Sequence, residues 1–175
     1  MEKVSMKNKG KKGVSEAPAT QDVLDGIIAC AESAGEPLNC DLSKLTPDKV
    51  IKLIDKFVCQ WQKGNRPAPE VLEEEDAPFI MGSLWGQQLA KRFGWEWGMI
   101  TFHDHGDSVA PAIISKDRSL VIYPMHFLTG CFQDPDVDAT IELSYNLLKE
   151  GKLTEFKPGQ YFNFMDGVHR IVPKD

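Results

Sequence analysis

The sequence predicts an α+β fold in a single domain, an antiparallel β meander packed against several helices. Three observations carry this. Apolar residues recur with a period of 3.6 through the first half of the chain, the period changes to 2 from Trp95, and no repeat or linker divides the 175 residues, a length that suits one domain.

The chain opens with MEKVSMKNKGKKG, which has five lysines and one glutamate but no apolar run. Residues 1–19 therefore read as a disordered Lys-rich tail and not as a secretory signal. The folded domain is placed at residues 20–175. Thr20 is positioned to cap a helix at 21–34, with Leu24, Ile27, Ile28 and Ala31 on one face and Gly35 as its stop. Thr46 followed by Pro47 marks the next start, and Val50, Ile54, Phe57, Val58 and Trp61 form the stripe of a helix at 47–63. The acid-rich stretch Glu70 to Asp76 reads as a solvated loop. Asp76, Ala77 and Pro78 then lead a third helix to Phe93, ended by Gly94. Gly82 and Gly86 lie one turn apart within it, and each costs about 1 kcal/mol relative to Ala, which points to close approach of another backbone.

From Trp95 the alternation places Trp95, Trp97 and Met99 on one face and Ile100 and Phe102 on the other. HDHGDS supplies a turn, Val109 to Ser115 a second strand, and Ser119 to Tyr123 a third. Pro111 assigns the second strand to an edge or bulge. Pro124 starts a short helix to Phe132, and Asp134-Pro135-Asp136 starts another at 136–150, stopped by Gly151. Tyr161 to Met165 and Val168 to Val172 read as a closing hairpin around Asp166-Gly167. The tryptophan pair is expected to pack beneath the Gly82 and Gly86 surface.

Charge narrows the function. The net is −6, and the first 13 residues carry +4, so the remainder carries −10. A field of that sign repels phosphate, so duplex nucleic acid is a poor ligand for the body and a basic protein partner fits better. No apolar run approaches the roughly 20 residues that span a bilayer, so a membrane span is not expected and a cytoplasmic location is. Cys30, Cys40, Cys59 and Cys131 show no metal-binding spacing and read as reduced thiols, with Cys30 and Cys59 as small buried hydrophobes. GxSxG, GxGxxG, HExxH and phosphate-loop motifs are missing, and no cofactor is implied. The i, i+4 pairs Asp138/Glu142 and Asp48/Lys52 read as solvated faces.

The candidate binding residues are His103, Asp104, His105 and Asp107 in the HDHGDS turn. An HxH pair at a strand end sets both rings on one side, and Asp107, His126 or His169 could complete a zinc or iron site. The competing reading, which is preferred, makes the segment a hairpin turn whose Asp and Gly serve the backbone, without metal.

FIMGSLWGQQLAKRFGWEWGMI, SKDRSLVIYPMHFL and DATIELSYNLLKEGK, between residues 79 and 151, resemble a family of small bacterial proteins that carries only a domain-of-unknown-function label. The resemblance implies an α+β fold and a bacterial source, and transfers no catalytic residue. Some relatives of this size look like immunity or accessory proteins. The expected function is thus a non-enzymatic binding protein of immunity or inhibitor type acting on a basic partner. Its rival is a metal-dependent hydrolase or oxygenase using the histidine turn.

Overall fold

A computed structural model describes residues 13–151 and 156–171. Its elements run β1 (Val14–Pro18), α1 (Gln21–Ser33), α2 (Pro47–Gln62), α3 (Ala77–Phe93), β2 (Glu96–Phe102), β3 (Ser108–Ile114), β4 (Leu120–Ile122), α4 (Pro124–Gln133), α5 (Ile141–Glu150), β5 (Phe162–Asn163) and α6 (Phe164–Ile171). The five strands form one sheet in the order β1-β2-β3-β4-β5. This is an α+β domain.

Several expectations change. Residues 14–18 are not tail. They pair antiparallel with β2, Ser15 opposite Thr101, through a contact too distant in sequence for local pattern to reveal. The remaining expected tail, residues 1–12, lies outside the described residues. The meander β2-β3-β4 is present, but the sheet is mixed, because β5 joins β4 in parallel, Leu120 opposite Phe162. The expected closing hairpin is therefore a two-residue strand followed by helix α6, in which Gly167 lets the Phe162 ring pack close, 2.8 Å from where a Cβ would sit. The fifth helix starts at Ile141, not at 136: the Asp136 N–H donates to Asp134 Oδ1 at 2.9 Å in a short turn, and residues 138–140 are irregular.

Alternation gives the sheet two buried faces. Trp97, Ile113, Leu120 and Ile122 join the main core with Trp61, Trp85, Leu128, Tyr145 and Phe164. The opposite face carries a smaller cluster of Ile100, Ala112, Ile114 and Val121, bordered by Phe102, Tyr123 and Tyr161. Helix α3 lies at the centre. Ten of its residues are buried, Met81, Leu84, Trp85 and Leu89 among them, so it is enclosed on most sides. Its glycines explain how. A Cβ on Gly82 would stand 2.9 Å from the Met125 backbone nitrogen, so α4 crosses there, and a Cβ on Gly86 would overlap the Trp97 indole. The tryptophan packing is thus as expected for Gly86, whereas Gly82 serves the α3–α4 crossing.

Three of the charges read as solvated faces, Asp48, Lys52 and Glu142, stay at the surface and also bridge α2 and α5, while Asp138 is exposed. Asp48 pairs with Lys149 and accepts from Tyr145 Oη at 3.3 Å, and Lys52 lies 3.7 Å from Glu142. Asp55 Oδ1 accepts the Glu142 backbone N–H at 3.0 Å, so a side chain of α2 caps the start of α5. No helix among the described residues is long and apolar enough to cross a membrane.

Candidate functional site

The histidine turn is a 3-10 helix over His103–His105 followed by two left-handed residues, Gly106 (φ 67°) and Asp107 (φ 56°). Those two residues fold the chain back so that Asp107 Oδ1 meets His103 Nδ1 at 2.6 Å. On the other side of the ring, His103 Nε2 lies 2.9 Å from Ser15 Oγ. The His103 backbone N–H donates to Gly13 O at 2.7 Å, which fixes the ring over the first strand. The order is Ser15, His103, Asp107. With the proton on Nδ1, His103 donates to the carboxylate and accepts from the serine hydroxyl, the connectivity of a nucleophile, a base and an orienting acid.

The other two turn residues go elsewhere. Asp104 stacks its carboxylate on the Gly13 backbone, where a Cβ would overlap it. His105 packs edge-on against Phe102, ring centres 6.4 Å apart. The two imidazoles were expected on one side of a strand end, but at three residues per turn positions two apart point in different directions. His126 is exposed on α4 and lines a cavity of about 210 Å³ with Tyr123, Asn163 and Asp166. The His169 side chain is outside the described residues. Among those described, no three His, Cys, Asp or Glu side chains converge as metal ligands.

Three of the four thiols lack the environment of a nucleophile. Burial pushes Cys131 up to about 12 and raises Cys40 and Cys59, whereas a reactive cysteine needs its thiolate favoured. Cys30 and Cys59, expected to be buried, are half-buried, and Cys131 is the fully enclosed one.

Two concave regions lie among the helices. A groove of about 560 Å³ runs between α1, the turn at residues 41–43, α2 and α3. Its floor is Ala31, Val50 and Leu84, its rim carries Glu32, Lys91 and Asp41, the last paired with Lys44 at 2.8 Å, and Ile28 at 43% exposure stands along it. Hydrogen bonds from Lys44 and Ser43 hold the Asp41 carboxyl below its ordinary value. From Gln21 to Leu42 the chain has five acids, Asp22, Asp25, Glu32, Glu36 and Asp41, and no Lys or Arg. The second region, about 590 Å³ between α2 and the start of α5, includes Asp55, Asp138, Thr140 and Glu142. Burial raises Asp55 above the usual carboxylate range.

Of the four sequence candidates the structure joins His103 and Asp107 and leaves Asp104 and His105 apart from them. Sequence reasoning missed Ser15 and the groove. Comparison of the chain with protein families, curated proteins and solved structures finds no match.

Proposed function

We propose that the protein is a binding protein of immunity or inhibitor type, and that its acidic α1 face and adjoining groove take a basic, amphipathic segment of a protein partner. The observation that carries this is the coincidence of an apolar-floored groove with a stretch of chain bearing five acids and no base, of which Glu32 and Asp41 line the groove against one lysine, Lys91, from α3. Helix-in-groove recognition needs both parts, an apolar seat for the anchors and a charged rim for orientation. Ile28 supplies an exposed apolar contact beside Glu32. Acidic residues at this rim would speed encounter with a basic surface and repel acidic competitors. The resemblance of residues 79–151 to small bacterial proteins of immunity or accessory type, and a cytoplasmic location, belong to the same reading.

The test is a titration of a labelled amphipathic peptide of leucine and lysine into the purified protein at two salt concentrations. The expected result is saturable binding that weakens as salt rises, and that Ile28→Glu or Glu32→Lys lowers by at least about tenfold, or 1.4 kcal/mol. Binding that ignores both substitutions would refute the groove as the docking surface. A toxin-like reading frame beside the gene would identify the natural basic partner to substitute for the peptide.

A further inference from the structure

We propose that Ser15 is an activated nucleophile, and that Ser15, His103 and Asp107 together hydrolyse carboxylic esters with short apolar acyl chains. None of the three lines the helical groove, so the proposal stands apart from the binding role. Three observations support it: the connectivity of the side chains, the orientation of a backbone donor, and an apolar strip beside the serine.

The hydrogen bonds at 2.9 and 2.6 Å place His103 between the hydroxyl and the carboxylate. His103 Nε2 is within reach of the serine proton, and Asp107 orients the ring through Nδ1. Asp107 holds this position with a left-handed backbone, φ 56°, uncommon for a residue other than glycine. Such strain recurs at functional sites.

The backbone donor follows from the register. Because His103 N–H bonds to Gly13 O, residues 13 and 103 form a hydrogen-bonded pair, and by alternation so do Ser15 and Thr101. Residues 14 and 16 then direct their N–H groups away from β2. β1 is the outermost strand, so the Glu16 N–H points off the sheet, one residue after the serine, and can donate to an oxyanion formed there.

The apolar strip also comes from pairing. Ser15 is opposite Thr101, and Thr101 is opposite Val109, while Ala17 is opposite Met99 and Met99 opposite Pro111. Directly paired residues share a face, so Ala17, Met99, Pro111 and Val109 lie on the serine's side of the sheet. Val109 is 55% exposed, the second most open large apolar side chain among the described residues. An acyl chain resting on this strip leaves its carbonyl carbon at Ser15.

In the reaction Ser15 Oγ attacks the ester carbonyl carbon while His103 Nε2 takes the hydroxyl proton. The tetrahedral intermediate breaks the bond to the leaving oxygen, which leaves with the proton from His103 as the alcohol. Water, deprotonated by His103, then attacks the acyl-serine, and the carboxylic acid departs as the proton returns to Ser15. One ester and one water give one acid and one alcohol. Ser15 and His103 are the catalytic residues, and Asp107 is a positioning residue.

The experiment combines hydrolysis of 4-nitrophenyl butyrate with labelling by a fluorophosphonate, read by intact mass and peptide mapping. Expected are a single adduct on Ser15, loss of label and turnover in Ser15→Ala, and a tenfold or greater fall in kcat for Asp107→Asn with little change in KM and a displaced pH–rate profile. Val109→Ser should raise KM for the butyrate more than for the acetate. His126→Gln should leave the rate unchanged. Thermal melts establish that each variant is folded. Turnover that survives in folded Ser15→Ala but disappears in His103→Gln would mean a bare surface imidazole and would overturn the proposal, as would failure of wild type to label above Ser15→Ala.

Discussion

Asp55 lies at the joint of α2 and α5, and its environment makes its ionisation cost stability. Burial raises its folded pKa above the unfolded value, so the folded chain binds the proton more tightly. Stability at this site is therefore highest in acid and is lost as pH rises from the ordinary carboxylate value through the raised one. Asp55→Asn cannot ionise, yet its Oδ1 can still accept the Glu142 N–H. The variant should equal or exceed wild type at neutral pH and lose the advantage in acid, as measured by urea unfolding across pH. A loss above about 1 kcal/mol at neutral pH would show that a negative charge at the start of α5 outweighs its burial. Asp48 has the opposite sign. The hydrogen bond from Lys149 holds it low, so its contribution is present above the ordinary carboxylate value and disappears as pH falls through the folded one. Asp48→Asn should make the acid limb of the same unfolding series shallower. At this scale two of the three relay residues were legible, because His103 and Asp107 share one turn. Ser15 was not, because 88 residues separate it from His103 and nothing local marks it.

Glycines inside helices separate two kinds of element. In α1, Gly26 has nothing within 4 Å of the position a Cβ would take, so it only weakens the helix. Gly26→Ala should raise stability by about 0.5–1 kcal/mol. In α3, Gly82 faces the Met125 backbone, which cannot rotate away, and Gly82→Ala should cost about 1–3 kcal/mol by forcing α4 outward. Thermal denaturation of the two variants should give shifts of opposite sign, and a shared sign would refute the packing argument. Helices such as α2 were legible from start signal and stripe together, since Thr46, Pro47 and the buried Val50, Ile54, Val58 and Trp61 agree. The C-terminal stretch was misread because Asp166-Gly167 has the composition of a hairpin turn, whereas the space beside Gly167 is taken by a ring, not by a chain reversal. The start of α5 was misplaced because its cap comes from Asp55, 87 residues away, and not from the Asp-Pro pair just before it.

Across the whole molecule, one arginine joins segments that are far apart in the chain. Arg118 Nη2 lies 3.1 Å from Glu16 on β1 and 2.9 Å from Glu96 on β2, and Tyr161 Oη donates to Glu16 at 2.6 Å. Burial and Glu16 push Tyr161 up to about 12, so it remains a donor well beyond neutral pH. Glu16 is only 14% exposed, and Arg118→Ala strands it with one remaining donor, at a cost of about 1–3 kcal/mol readable by denaturant unfolding. A loss of under about 0.5 kcal/mol would mean that the pair is solvent-screened and holds little. The second face of the sheet, which this cluster borders, was legible only as the alternation of Ile100 and Phe102, because the strand at 14–18 that extends it carries no local signal. The same arrangement also bears on self-association. β1 is a poor template for a further strand, since it is five residues long, carries Glu16 and ends in Pro18, which has no N–H to donate. The strand it covers is the reverse, because EWGMITF has one charge at its end and is otherwise rich in residues that favour extended pairing. Detaching β1 from the clasp would bare the β2 backbone to other copies of the chain, so Arg118→Ala should form concentration-dependent aggregates on mild heating at temperatures where wild type remains clear. A short first strand thereby acts as a built-in guard against intermolecular sheet growth.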